Sequence, residues 1–337
     1  MQQEKTFIYT QAPAAPMVLE GFPWYSEDQV FCRLPQRCHA ALSDGMKKHV
    51  WDTSGGTLRF RTDSASISVR YTLRNMAKYA ASQPASGHSG LDVYAGVKGS
   101  YRLLGCVAPV ENQQEQNIEV ENPGDDITIY LPPYNGVDKI EIGIETGTQF
   151  FAPTARTQLG QVLVYGPSIA QGGNASRPAC AYPAILSRWL DVAFINLGFS
   201  GACMGEPEIA HLINEVPMRV FIMDFDHNAP SPEYLREKHE PFYKIIREKN
   251  PTLPVVFVTK PNADPDDDED NARKQAVYDT FINAQARGEN VWFVDGMTLF
   301  GTADRDICTT DGGHPNDLGF LRMAEGIAPA VREALKG

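Results

Sequence analysis

The sequence predicts two joined folds, an antiparallel β-sandwich followed by an α/β domain built on a parallel sheet. Three observations predict it. Up to about residue 150, apolar residues recur with period two in short runs separated by Gly, Pro, Asn and Asp. After about residue 158, wholly apolar strands alternate with helical segments. The length of 337 residues also exceeds the ~250–300 that one hydrophobic core usually serves. The expected division is an N-terminal domain of residues 1–152 and a C-terminal domain of residues 153–337.

In the first half the alternating runs are "TLRFRTD" (57–63), "SISVRYTL" (66–73), "GLDVYAG" (90–96), "YRLLGCV" (101–107), "NIEVE" (117–121), "ITIYL" (127–131) and "KIEIGIE" (139–145). No helix is expected among them after residue 55, and their even spacing predicts a sandwich of the jelly-roll kind. In the second half, strands are expected at 161–165, 192–196, 219–224, 254–259 and 291–295. Helices are expected near 182–190, 206–215, 232–249, 271–287 and 316–335. The last has Leu318, Leu321, Ala324, Ala328, Val331 and Leu335 on one stripe, and Pro329 is expected to kink or break it. Strand–helix alternation implies βαβ units and a parallel sheet covered on both faces.

Composition narrows the function. Thirty Lys and Arg against 42 Asp and Glu give a net charge of -12, which repels nucleic acid and anionic membrane surfaces. No stretch approaches the ~18 apolar residues of a membrane span. The opening "MQQEKTFIYTQAPAAP" lacks the pattern of an export signal, so a cytoplasmic location is expected. Six scattered cysteines form no C-x-x-C pair and no zinc spacing; reduced thiols are expected, Cys32 and Cys38 included. "DPDDDEDN" (264–271) has Glu269 where a calcium loop needs glycine, and is expected to be a solvated loop feeding the next helix. No metal or organic cofactor is implied, and nothing in the sequence sets an oligomeric state.

"QVLVYGPSIAQGG" (161–173) carries Ser168 at the carboxyl end of the first parallel strand, where α/β sheets bind ligands. Ser168 reads either as a nucleophile or as the cap of the next helix. Ser89 in "GHSGL" and Ser200 in "GFSGA" each miss G-x-S-x-G by the last glycine; Ser200 is the real competitor, because it too follows a strand. The partners favour Ser168. His314 lies in "TTDGGHPNDLG" after the fifth strand, and Asp311, three residues earlier, is spaced to fold back onto its Nδ1. The other five histidines outside this block and His227 offer no constellation, and His227 is expected to be solvated.

"YGPSIAQGG", "NLGFSGAC", "DFDHNAP" and "DGGHPNDLG" resemble, in order, the four blocks of the SGNH hydrolases, also called GDSL esterases. "SGGTLRFRTDS" (54–64) and "GLDVY" (90–94) resemble the all-β domain of a two-domain branch marked by G-x-D-[LV]-Y. The resemblance implies a flavodoxin-like five-stranded sheet of order 2-1-3-4-5 behind the sandwich. It also implies Ser168 as nucleophile, His314 as general base and Asp311 as its orienter. Backbone N–H groups of Ser168 and Gly201 and the Asn228 amide would form the oxyanion hole. Two positions depart from the family: Pro167 replaces the usual Asp before the serine, and Asp226 stands where the third block has glycine.

The resemblance further implies ester hydrolysis through an acyl-enzyme, with O-acetylated carbohydrate or another small ester as substrate. A lipid or thioester acylhydrolase is the first alternative, and a non-catalytic carbohydrate-binding protein the second. Asp92 and Tyr94 share one face of a strand; they are substrate-binding candidates if that face borders the cleft, and a buried pairing otherwise. Of the four tryptophans, Trp24 is expected to be the exposed one.

Overall fold

The computed structural model describes residues 5–76 and 81–337. Among the described residues the first half forms ten strands: β1 (Phe7–Gln11), β2 (Val18–Glu20), β3 (Thr57–Thr62), β4 (Ser66–Leu73), β5 (Leu91–Ala95), β6 (Arg102–Val107), β7 (Gln113–Glu119), β8 (Asp126–Tyr130), β9 (Val137–Glu145) and β10 (Phe150–Phe151). One sheet has the order β1-β9-β4-β7; the other runs β10-β3-β8-β5-β6, with β2 added on β3, and every pairing is antiparallel. Register pairs such as Val69↔Ile142 and Phe60↔Ile127 turn their apolar members into one core between the sheets.

β7 begins earlier than its apolar residues suggested. Its first four residues, Gln113–Gln116, are polar, as suits an edge strand that half faces water. A short helix, α3 (Ala85–Ser89), also interrupts the run where no helix was expected. Upstream lie α1 (Tyr25–Asp28) and α2 (Asp44–His49).

The second half alternates β11 (Gln161–Gly166), α4 (Ser168–Gln171), α5 (Tyr182–Leu190), β12 (Ala193–Gly198), α6 (Pro207–Ile213), β13 (Val220–Met223), α7 (Pro232–Lys249), β14 (Val255–Val258), α8 (Asp268–Ala286), β15 (Val291–Val294) and α9 (Asp317–Ala334). All five strands are parallel in the order β12-β11-β13-β14-β15, which is 2-1-3-4-5. Val162 and Val164 point to the face covered by α5 and α9, whereas Leu163 and Tyr165 point to α6, α7 and α8. The core under that second face also takes in Trp24, Cys32, Leu34, Leu42, Met46 and Val50, so the segment around α1 and α2 packs on the parallel sheet.

α9 runs unbroken through Pro329. Pro329 and the Glu325 whose carbonyl it strands are both exposed, so water can solvate that group while Ile327, Ala328 and Val331 stay buried. Leu321 lies off the buried stripe at 39% exposure. Trp24 is buried, with Nε1 donating to Glu215, and Trp189 is the exposed tryptophan. The acidic run ends as a helix start: Asp267 caps α8 by accepting from the Asp270 N–H. All six cysteines are free.

Candidate active site

β11 and β12 end side by side, Gly166 opposite Gly198. A Cβ on Gly198 would lie 2.3 Å from the Gln171 nitrogen, so only glycine lets α4 sit this close to the sheet. That places the first residue of α4, Ser168, directly over the strand ends. The N-cap position is Pro167, in extended conformation and without a side-chain cap bond, so Ser168 does not serve as the cap. Its Oγ lies 2.8 Å from Nε2 of His314.

The loop before α9 delivers the imidazole. Asn316 caps α9, and Thr310 N–H donates to the His314 carbonyl at 3.1 Å, closing a tight turn over Gly312. Within that turn Asp311 folds back: Oδ2 lies 2.9 Å from His314 Nδ1, while Oδ1 accepts from the N–H groups of Gly313 and His314 at 3.0 and 2.7 Å. Burial pushes the Asp311 carboxyl up, but these backbone donors and the imidazole outweigh it and hold the group at about 2. Asp311 is thus a carboxylate at every pH at which an imidazole titrates, and it favours the tautomer with Nδ1–H toward itself and Nε2 free to accept from Ser168.

Gly201 lies in the turn after β12 at φ +67, exposed, with open space where a Cβ would stand. Among the described residues its N–H has no partner, nor has that of Ser168. Asn228 accepts from the Cys203 N–H through Oδ1 at 3.4 Å, which ties it to the same turn and leaves its NH2 free of any partner among the described residues. The structure therefore gathers Ser168, His314 and Asp311 in hydrogen-bond contact, and brings Gly201 and Asn228 to adjoining loops at the same sheet edge. Ser200 turns its N–H inward, and Ser89 is buried at the end of α3 in the sandwich half.

Asp92 and Tyr94 are not brought to this site. Asp92 is fully buried; Oδ2 accepts from Arg177 Nη1 at 3.1 Å and from Ala179 N–H at 2.9 Å. The same Arg177 nitrogen donates to the Tyr94 hydroxyl at 2.7 Å, and Tyr94 packs edge-on to Tyr130 beside Ala179. The face of β5 they share is covered by the chain around residues 177–188, not by a cleft. This corrects their reading as substrate contacts: they join the sandwich to the segment following α4.

Two residues left without a role by the sequence act on the site: Asn174, and the Asp226 that departs from the family's third block. Asn174, held at φ +69, donates through Nδ2 to Thr310 Oγ1 at 2.6 Å and to Asp311 Oδ2 at 3.1 Å. Asp226 accepts from the Lys260 N–H at 2.8 Å and from Arg273 Nε at 3.0 Å, while Arg273 also donates to the Ala229 carbonyl; together they pin the loop that carries Asn228. The sequence signal was position: Asp226 lies inside the third block and Asn174 directly follows the first. His227 is half-buried rather than freely solvated, its ring 6.0 Å from that of His314; desolvation first, then the nearby cations, lowers its pKa to about 4 and keeps it neutral.

Residues 160–332 match the family model for the GDSL-like lipase/acylhydrolase family. The chain belongs to that family. Residues 7–150 match the GxDLY model, the N-terminus of SGNH-hydrolase-type esterases, whose signature here is Gly90-Leu91-Asp92-Val93-Tyr94. A GDSL lipase from Mycobacterium tuberculosis is 31% identical over 107 residues, 32% of this chain and 45% of that protein; the match thus spans under half the length of that relative. A Bacteroides ovatus protein of GDSL-like lipase type has a similar structure, with a TM-score of 0.86, 27% identity and 98% of each chain covered. A family two carbohydrate esterase from Cellvibrio japonicus shares the fold at a TM-score of 0.63 and 13% identity, covering 98% of this chain and 99% of that one. As a GDSL-type acylhydrolase the protein is an esterase, and its antiparallel sheets precede the five-stranded parallel sheet of that class.

Proposed function

We propose that this esterase removes short acyl groups, acetyl above all, from carbohydrates, through an acyl-enzyme on Ser168. The observation that carries the chemistry is the chain of contacts from Ser168 Oγ to His314 Nε2 (2.8 Å) and from His314 Nδ1 to Asp311 Oδ2 (2.9 Å). Ser168 Oγ attacks the ester carbonyl while His314 Nε2 takes its proton; His314 then gives that proton to the departing alkoxide, and Asp311 stabilises the imidazolium between the two steps. The carbonyl oxygen becomes an anion, met by the N–H groups of Ser168 and Gly201 and the Asn228 amide, all neutral donors fixed before reaction. Water, activated by the same imidazole, then releases the acid.

The substrate class rests on two supports. Beside the His314 loop, under Gly312, lies a cavity of about 300 Å³ lined by Asn262, Asp264, Arg305, Asp306, Thr309 and Phe300. The amide, guanidinium, carboxylate and hydroxyl groups of this lining suit a hydroxyl-rich leaving group better than an acyl chain. Carbohydrate esterases, one solved in complex with cellohexaose, are also among the proteins that share the fold.

The test is acetate release from a panel of acetylated oligosaccharides, with acetyl and octanoyl esters of a chromogenic phenol run in parallel. The proposal expects acetate from at least one oligosaccharide and a strong preference for acetyl over octanoyl. Preference for octanoyl, with no acetate from any sugar, would sink it in favour of a lipid acylhydrolase.

A further inference from the structure

Gln171, the last residue of α4, is fully buried and every polar atom of its side chain is used. Its Oε1 accepts from the Ser200 N–H at 2.9 Å; its Nε2 donates to Asp52 Oδ2 at 2.8 Å and to the Pro133 carbonyl at 2.9 Å. Asp52 is itself buried, and its Oδ2 also accepts from His49 Nδ1 at 2.7 Å. Ser54 Oγ donates to the Gln171 carbonyl at 2.6 Å, and the Tyr134 hydroxyl donates to that of Ser168 at 3.3 Å. Chain segments 49–54 and 132–134, more than thirty residues upstream of α4, thus form a polar cradle beneath it.

Ser200 immediately precedes Gly201. The turn they share is tied by Phe199 N–H to the Gly166 carbonyl, by Ala202 N–H to the Phe199 carbonyl, and by Cys203 N–H to Asn228. Gly201 itself is exposed, has open space where a Cβ would stand and sits in a conformation available chiefly to glycine, so among the described residues no side chain packs on that side of it. The Gln171 side chain clamps the N–H of Ser200, the residue immediately before it. An oxyanion donor is useful only if it is aimed before charge develops, because reorganising it during the reaction costs part of what it returns.

We infer that Gln171 is a positioning residue for the oxyanion turn, and that it is held to this task by Asp52 and the Pro133 carbonyl of the N-terminal half. The upstream chain would then contribute to transition-state stabilisation without touching substrate. This rests on the reading of Gly201 as an oxyanion donor.

Gln171→Met keeps the side-chain volume but removes both hydrogen-bonding ends. It is expected to lower kcat on a chromogenic acetate by about 10–10²-fold, less than the ~10²–10³ for outright loss of a donor, with KM within about twofold. Inactivation by a dialkyl nitrophenyl phosphate, whose phosphoryl oxygen occupies the same hole, should slow by a similar factor. The acid limb of the kcat/KM profile, which reports the general base, should stay where it is. Asp52→Asn keeps a carbonyl for Nε2 and is expected to lose less than about threefold, whereas Asp52→Ala should approach Gln171→Met. A folded Gln171→Met protein with parental kcat overturns the inference, as does one in which KM alone changes. If Gln171→Met does not fold, equal kcat for Asp52→Asn and Asp52→Ala overturns it. Ser168→Ala separates the two levels: activity surviving that change would refute the acyl-enzyme reading itself, whereas an inert Ser168→Ala beside an unaffected Gln171→Met would refute only the role of Gln171.

Discussion

Asn174 Nδ2 lies 3.1 Å from the same Asp311 oxygen that faces His314 Nδ1 at 2.9 Å. The carboxylate beside the imidazole is therefore gripped from two sides, with its second oxygen occupied by backbone N–H groups. Burial raises its pKa, but the N–H groups of His314 and Gly313 and the imidazole outweigh that and lower it. The folded value, about 2, lies below the ordinary 3.8, so the stabilisation this carboxylate contributes is fully present above about pH 4 and fades as pH falls toward 2.

Removing the Asn174 side chain should loosen that grip. Asn174→Gly tolerates the positive φ and isolates the lost hydrogen bonds from backbone strain. A hydrogen bond to a charged group contributes about 1.5–3 kcal/mol, and the expected result is a kcat lower by roughly tenfold. Steady-state kinetics on a chromogenic acetate would read it; parental kcat would show that the 311–314 turn holds the carboxylate unaided.

Ser168→Ala and His314→Ala should each lower kcat by several orders of magnitude, on the ~10⁶ scale of residues that act as a unit, and the double variant should lose little more. Peptide mapping after labelling with a fluorophosphonate should find the adduct on Ser168. An adduct on Ser200 would overturn the assignment.

Asn228→Ala is expected to cost about 10²–10³ in kcat with KM nearly unchanged. A raised KM at constant kcat would instead make Asn228 a ground-state contact for substrate.

Arg177→Ala leaves the fully buried Asp92 without its cation and should destabilise the fold by about 3 kcal/mol, the low end for a buried charge stripped of its partner. Burial already raises the Asp92 pKa even with Arg177 present. An acid with a raised folded pKa costs stability as pH rises past its ordinary 3.8, and losing Arg177 steepens that cost. Denaturant melts should thus show a larger loss at pH 8 than at pH 4.5, with hydrolysis of acetylated oligosaccharide and phenyl acetate impaired alike. A selective loss on the oligosaccharide would return this face to substrate binding.

The strand–helix alternation and the Asp311–His314 turn were legible in local signals: apolar runs, breaks at Gly and Pro, and a carboxylate three residues from an imidazole. The strand order and the pairing of Ser168 with His314, 146 residues apart, were legible only through the resemblance to the SGNH hydrolases. Asn174 and Asp311 are 137 residues apart, and Gln171 and Asp52 are 119 apart; no periodicity links such partners. Asp92 and Tyr94 stayed between two readings, substrate contact and buried pairing, for a related reason. Alternation shows that two residues share a face but not what covers it, and here a second fold covers the outer face of the sheet. Trp24 was misread in the same way, as its loop lies on the core of the parallel sheet rather than in water.

Arg33 spans that same boundary from the other direction. It is wholly buried, donates to the Gly198 carbonyl at the end of β12 and to the His49 carbonyl at 2.6 Å, and lies over the Phe199 ring. The second strand of the hydrolase sheet thus ends on a cation supplied more than 160 residues upstream. Recombination that exchanged the upstream module for an unrelated one would leave the Gly198 carbonyl at the end of β12 without its buried donor. Swapping one module without the other would thus carry a cost in the fold of the hydrolase half, set by a single guanidinium.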